Sequence, residues 1–333
     1  MEFRLTDDQT ALREHVRGFL TETHGPERLR KLDAEGGRDA EVWRGLTELG
    51  LPGLLVSPDQ GGLGMGLVEA ALIALELGRA NVSEPLADTA FVAAPWCARH
   101  GERSWLARIA AGDATLALAH NVNPWIADLD SASAVISGGK IIDRPAKQEP
   151  LNSVDPLRRL FARGALGGDD ALLLDLAALS SAGQALGAAE RMMELAAAYA
   201  QTREQFGQPI GAFQAIKHHL ASVAVQIEFA RPLLWRAAYA LERNHQRASI
   251  NISHAKIAAS DAALSAAEIA IQVHGAMGYT YEVDLHYWMK RAWALIGAWG
   301  DRAYHLKRVD DAVLGGALTL GPDATFNSEN AHA

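Results

Sequence analysis

Apolar residues recur every three or four positions through the first hundred residues, the spacing of helices that bury one face. Leu12, Val16, Phe19 and Leu20 share such a face behind Thr6, whose hydroxyl suits an N-cap, with Asp7 and Asp8 at the positive end of the dipole. Gly25-Pro26 predicts the end of that helix. Val42, Leu46 and Leu49 restart the pattern and Gly50 stops it. Ser57 to Gly64 reads as a glycine-rich turn, and further helices are expected from Leu67 to Gly78 and from Leu86 to Arg99.

The middle of the chain changes period. Thr115 to Ala119 predicts a strand, and the run from Ala134 to Asp143 predicts a β-hairpin, two β-branched stretches around Gly138-Gly139. Ser153 to Phe161 and Ala171 to Leu174 also lean toward strand. From Ser180 the helical period returns, with Leu186, Met193, Ala197 and Ala200 on one face and Ala-rich packing through 255–271. Small residues of this kind suit long antiparallel helices. Pro232 predicts a helix start or kink near Arg231. The expected fold is mainly α: a helical N-terminal domain over 1–112, a small β-domain over 113–175, a four-helix bundle over 176–320 and a flexible tail over 321–333. A β-domain of that size cannot bury a core alone and must lean on its neighbours.

Lys and Arg number 31 against 40 Asp and Glu, a formal charge of −9 with no basic block. Such a chain is unsuited to nucleic acid or an anionic membrane, which need clustered cations. Cys97 is the only cysteine, so disulfide frameworks and Cys-cluster metal sites are excluded. His218, His219 and His254 have no companion carboxylate at ligand spacing, and no metal is expected. The start, Met1 to Asp8, lacks the basic end and apolar segment of a signal peptide, and no apolar run suggests membrane insertion. The expected location is cytoplasmic.

Three segments carry a family resemblance. They are Arg203-Glu204-Gln205-Phe206-Gly207, then Gln272-Val273-His274-Gly275-Ala276-Met277-Gly278, and the N-terminal Gly61-Gly62-Leu63-Gly64 with Glu76-Leu77-Gly78-Arg79. In that order and spacing the chain resembles the acyl-CoA dehydrogenase family of flavoproteins, from Met1 to about Val313. The resemblance implies FAD, an acyl-CoA substrate, α,β-dehydrogenation, and an electron-transferring flavoprotein as acceptor. It assigns Arg203 to the FAD pyrophosphate, a pairing that a guanidinium makes through charge-assisted hydrogen bonds. Gln205 and Phe206 then line the cofactor. Gln272, Gly275 and Gly278 face its adenosine part, which in this family is largely bound to a neighbouring subunit.

The departures are as informative. Relatives carry a catalytic Glu about 25 residues after the second motif; here Ile296 to Ala303 contains none, and Asp301 is the nearest carboxylate. A second family arrangement places the Glu about 26 residues before Arg203, where this chain has Ala177. The family's flavin-holding Thr-Glu-Pro strand is represented only by Asn123-Pro124, and its Trp-Ile-Thr strand is missing. Short subunits of heteromeric, steroid-degrading acyl-CoA dehydrogenases share these departures, and Ser153 to Arg159 and Gly278 to Ala292 are similar to theirs. This implies a heterotetramer in which a second acyl-CoA dehydrogenase chain supplies the Glu and the acyl group is bulky. The alternatives are a homo-oligomer using Asp301 as base, and a flavin-free structural subunit.

Overall fold

The computed structural model describes residues 3–35, 38–318 and 321. Helix α1 (Asp7–Thr23) opens with a full capping box: Gln9 N–H donates to Thr6 Oγ1 at 3.2 Å and Thr6 N–H to Gln9 Oε1 at 3.0 Å. Gly25-Pro26 ends α1 but does not open a loop. Pro26 is the first residue of α2 (Pro26–Glu35), where its missing N–H costs nothing, and Leu29 and Leu32 are buried. Helix α3 (Ala40–Glu48) is capped by Asp39, and α4 (Leu67–Ala80) is buried along most of its length. A π-helical segment, Ala87–Ala93, runs into α5 (Ala94–His100), and α6 (Arg103–Ala110) completes the domain.

Two three-stranded sheets follow. Strands β1 (Leu116–Ala119), β3 (Ala134–Ser137) and β4 (Lys140–Ile142) form one, with β1 parallel to β3. The expected hairpin is β3–β4, turning through Gly138 and Gly139 at φ 58° and 76°. Strands β2 (Trp125–Ala127), β6 (Leu160–Ala162) and β5 (Pro150–Leu151) form the other. Ala117, Ile126, Val135 and Phe161 make a small core, while Leu116, Leu118 and Ile136 join the main core of the helices. The β-domain does lean on its neighbours.

The C-terminal bundle is α7 (Ala171–Thr202), α8 (Gln214–Glu242) and α9 (Ala248–His274), with α10 (Leu285–Gly297) and α11 (Arg302–Leu314) packed against them. Ala171 to Leu174 is the first turn of α7, not a strand, so the border expected at 175–176 falls inside a helix. A short apolar run has no period to decide between the two. Here Asp170 decides it, accepting the Leu173 N–H at 3.0 Å as N-cap. Helix α8 passes through Pro232 without a new start, and Arg231 beside it pairs with Glu190 of α7 at 2.7 Å. Helix α7 is long and apolar enough to cross a membrane by length and composition alone, but most of that stretch is buried inside the protein. The expected flexible tail lies outside the described residues, save Gly321.

Glycines set how closely the N-terminal domain meets the bundle. A methyl on Gly187 of α7 would overlap the Leu75 carbonyl oxygen of α4, and one on Gly78 of α4 would overlap the Gln184 carbonyl of α7. The two backbones touch, which fixes α4 against α7 and places the segment after α4 over the bundle.

Candidate functional site

Arg203 is where α7 stops. Its N–H still bonds the Tyr199 carbonyl at 2.9 Å, but its own backbone is extended. Two-residue strands, Glu204–Gln205 and Gln208–Pro209, then pair into a tight hairpin turning at Phe206 (φ 54°) and Gly207 (φ 79°). An aromatic residue at positive φ is a strained choice. Phe206 is also 92% exposed, propped edge-on against Phe213 at 6.0 Å. The Arg203 side chain is exposed and has no hydrogen bond or ion pair among the described residues. Gln205 Nε2 donates to the Glu204 carbonyl at 2.7 Å.

The second motif arrives at the same end of the bundle. His274, the last residue of α9, stacks on Tyr199 at 4.3 Å between ring centroids and is held by the Ala270 carbonyl at 2.7 Å. It is buried and locally bonded, and burial pushes its pKa down. Gln272 is exposed, and Gly275, at φ 60°, faces open space. Gly278 behaves differently. It is buried in the turn after α9, and a Cβ there would press on the Ile271 carbonyl oxygen of α9 at 2.9 Å, so its bareness serves the turn itself.

A separate chamber lies between the β-domain, the end of α4 and the bundle. It encloses about 50 Å³, room for a few waters, and is lined by Asp88, Arg158, Ala177, Arg291, Leu295 and Trp299 among others. Three stretches set apart in the sequence meet here. Trp299 (φ 59°) donates its N–H to Asn123 Oδ1 at 3.0 Å, its ring meets Trp125 edge-on at 6.4 Å, and Ala177 shares the wall. The Arg158 guanidinium lies 4.2 Å from the Trp125 ring centroid. Arg291 pairs with buried Asp155 and donates to the Val82 carbonyl at 2.7 Å. Burial pushes the Asp88 carboxyl up.

Asp301 is not in this wall. It is the N-cap of α11, accepts the Tyr304 N–H at 2.8 Å and is exposed. Its neighbour Arg302 pairs with Asp261 at 2.9 Å rather than with Asp301. Behind the chamber, fully buried Lys256 donates to Ser181 Oγ at 2.9 Å and to the Leu295 carbonyl at 2.5 Å. Burial pushes this amine down to about 7. His305 Nε2 donates to the Trp299 carbonyl at 3.0 Å, pinning the loop from the other side.

Sequence comparison now decides the family. Residues 6–113 match the acyl-CoA dehydrogenase N-terminal domain and residues 171–314 the C-terminal domain. Acyl-CoA dehydrogenase IpdE2 of Mycobacterium tuberculosis is 35% identical over 297 residues, covering 86% of this chain and 91% of the relative. The chain belongs to the acyl-CoA dehydrogenase family.

Within the family, IpdE2 of Mycolicibacterium smegmatis is 30% identical over 93% of this chain and 100% of its own length. A solved acyl-CoA dehydrogenase described as a steroid ACAD, Tcur3481-Tcur3483, aligns at a TM-score of 0.84 with 26% identity, covering 94% of this chain and 99% of that one. The ChsE4-ChsE5 complex of M. tuberculosis shares the fold at a TM-score of 0.82 over 96% of this chain.

The FAD that this family uses can be tested against these two regions separately. At the bundle end, where Tyr199 and His274 stack, Arg203, Gln272 and Gly275 are each exposed, a donor set suited to a pyrophosphate and its sugar. The chamber does not fit a flavin ring: it encloses only about 50 Å³, and Trp299 and Arg158, both packed on Trp125, crowd its wall. Trp299 and the Arg158–Trp125 stack went unforeseen in the sequence. The Trp between Ala298 and Gly300, in the stretch expected to carry a carboxylate, was the available signal.

Proposed function

We propose that this chain is one subunit of an FAD-dependent acyl-CoA dehydrogenase that removes hydrogens from the α and β carbons of an acyl thioester in partnership with a second chain. The observation that carries the proposal is the chamber wall. The resemblance places a base in two stretches, and the chamber brings both together as Trp299 and Ala177, neither of which can take a proton. Asp301 is turned away as a helix cap. The carboxylate that removes the α-proton therefore comes from the partner.

FAD, when bound, supplies the acceptor for the β-hydride. This chain's share is to hold the far end of the cofactor. Arg203 binds the pyrophosphate, Gln205 and Phe206 cover it, and Gln272 and Gly275 receive the adenosine while Gly278 shapes their turn. An aromatic side chain as exposed as Phe206 calls for cover, and a cofactor lying across a subunit interface provides it. The expected acceptor of the electrons is an electron-transferring flavoprotein.

The substrate is a steroid-derived or similarly bulky acyl-CoA, a reading supported by the likeness to the steroid ACAD. The shortened β-domain does not open room for it in this chain, because the chamber is only about 50 Å³. The acyl group lies in the partner's site. Recording the visible spectrum of this chain alone and co-expressed with a candidate partner acyl-CoA dehydrogenase chain tests the proposal. Flavin and turnover are expected only in the complex. Turnover by the chain alone that is lost in Asp301→Asn would establish the homo-oligomer instead, and a complex whose flavin content ignores Arg203→Ala would make this a structural subunit.

A further inference from the structure

A second cavity shares no wall residue with the chamber. It holds about 140 Å³ where the end of α1 and the start of α2 meet α4, α7 and α10. Three guanidiniums line it, and each keeps donors unused. Arg17 gives Nε and Nη2 to Glu76 at 2.8 and 2.7 Å, leaving Nη1. Arg79 gives Nε and Nη2 to Glu194 at 3.1 and 2.7 Å, leaving Nη1. Arg191 gives only Nη1 to Glu194, at 3.0 Å, and its plane lies 5.5 Å from the Trp288 ring centroid. Glu76 and Glu194 take part of these arginines' donors, and Glu190, paired with Arg231, lies nearby.

His24 supplies the independent observation. Its side chain is part of this wall, it is 3% exposed, and neither ring nitrogen makes a hydrogen bond of normal geometry, the Asn81 backbone being close by. A buried polar group left unpaired is costly, so its partner is expected from the cavity contents. A cavity this size holds far more than one water. Guanidinium groups with donors left free and a spare ring nitrogen on one cavity wall together describe a receptor for a planar or tetrahedral oxyanion.

We propose that the Arg17–Arg79–Arg191–His24 cavity is a binding site for a small oxyanion, a phosphate or carboxylate group, at the junction of the N-terminal domain and the bundle. The site does not depend on the acyl-CoA reading. Arg191 is its main ligand, having two free donors, and a bound anion ties α1 and α4 to α7 and α10.

The test is a titration of the protein in oxyanion-free buffer with inorganic phosphate and, separately, acetate, following the arginine Nε–H and histidine ring resonances by NMR. Saturable shifts of Arg17, Arg79, Arg191 and His24 with either anion are expected, and which anion saturates identifies the group the site takes. Arg191→Gln should raise the dissociation constant about tenfold or more, with Arg191→Lys in between because it keeps charge but loses the fork. Shifts that never saturate with either anion overturn the proposal, and so does an Arg191→Gln protein that binds as the parent does. The wild-type titration decides even where a variant fails to fold.

Discussion

Trp299 hangs its backbone N–H on the side chain of Asn123, 3.0 Å away and 176 residues earlier in the chain. Both residues are buried. The bond joins the β-domain to the loop between α10 and α11. Asn123→Ala leaves that N–H without a partner, and a loss of about 1–3 kcal/mol is expected in urea denaturation. A variant as stable as the parent would show that the loop is held otherwise.

Arg291 and Asp155 make the best-buried ion pair among the described residues, and the Leu157 N–H also donates to Asp155, at 3.0 Å. Removing one charge strands the other. Asp155→Ala should cost about 3–5 kcal/mol, while Asp155→Leu with Arg291→Met should recover much of it. Equal losses in the single and double variants would contradict this.

Lys256 gives a pH signature. Its folded pKa of about 7 lies below a lysine's ordinary 10.5, so between these values the unfolded chain binds more protons and stability rises with pH. The penalty is fully present below pH 7 and relieved as pH climbs toward 10. Asp301 opposes the shift and Arg158 adds to it. Comparing wild type with Lys256→Met cancels the other groups. The wild type should gain on the variant by a few kcal/mol, about 1.4 per pH unit, from pH 7 to 10. A pH-independent difference would place the amine's pKa elsewhere.

Gly187→Ala tests the contact between the two helical domains. The new methyl meets backbone rather than a movable side chain, so several kcal/mol and a large fall in Tm are expected. Gly18→Ala, where nothing lies within 4 Å, should be neutral or stabilising.

Much of this architecture was legible because it is periodic. The N-cap at Thr6, the Gly138-Gly139 hairpin and the Ala-rich bundle are local patterns, and local patterns are what one sequence holds. Ala171 to Leu174 misled because four apolar residues have no period; Gly25-Pro26 did end α1, but the helix that Pro26 opens went unread because a proline can start a helix as readily as stop one. The site divided along the same line. Arg203 and Gln272 sit in contiguous motifs and could be named. The Trp299–Asn123–Ala177 convergence joins three distant stretches, and only the packing of β-domain against bundle brings them together. At Gly278 the packing adds what the motif alone does not show, since a Cβ there would press on the Ile271 carbonyl of α9.

The central claim is that this chain holds the cofactor's far end while its partner does the chemistry. Asp301→Asn in the purified complex tests it most directly, since asparagine caps a helix as well as aspartate does and the fold should be untouched. Steady-state turnover of a steroid-derived acyl-CoA is predicted to stay unchanged in that complex and to vanish when the partner's base is replaced. Loss of turnover on Asp301→Asn, with flavin content and Tm intact, would contradict the account.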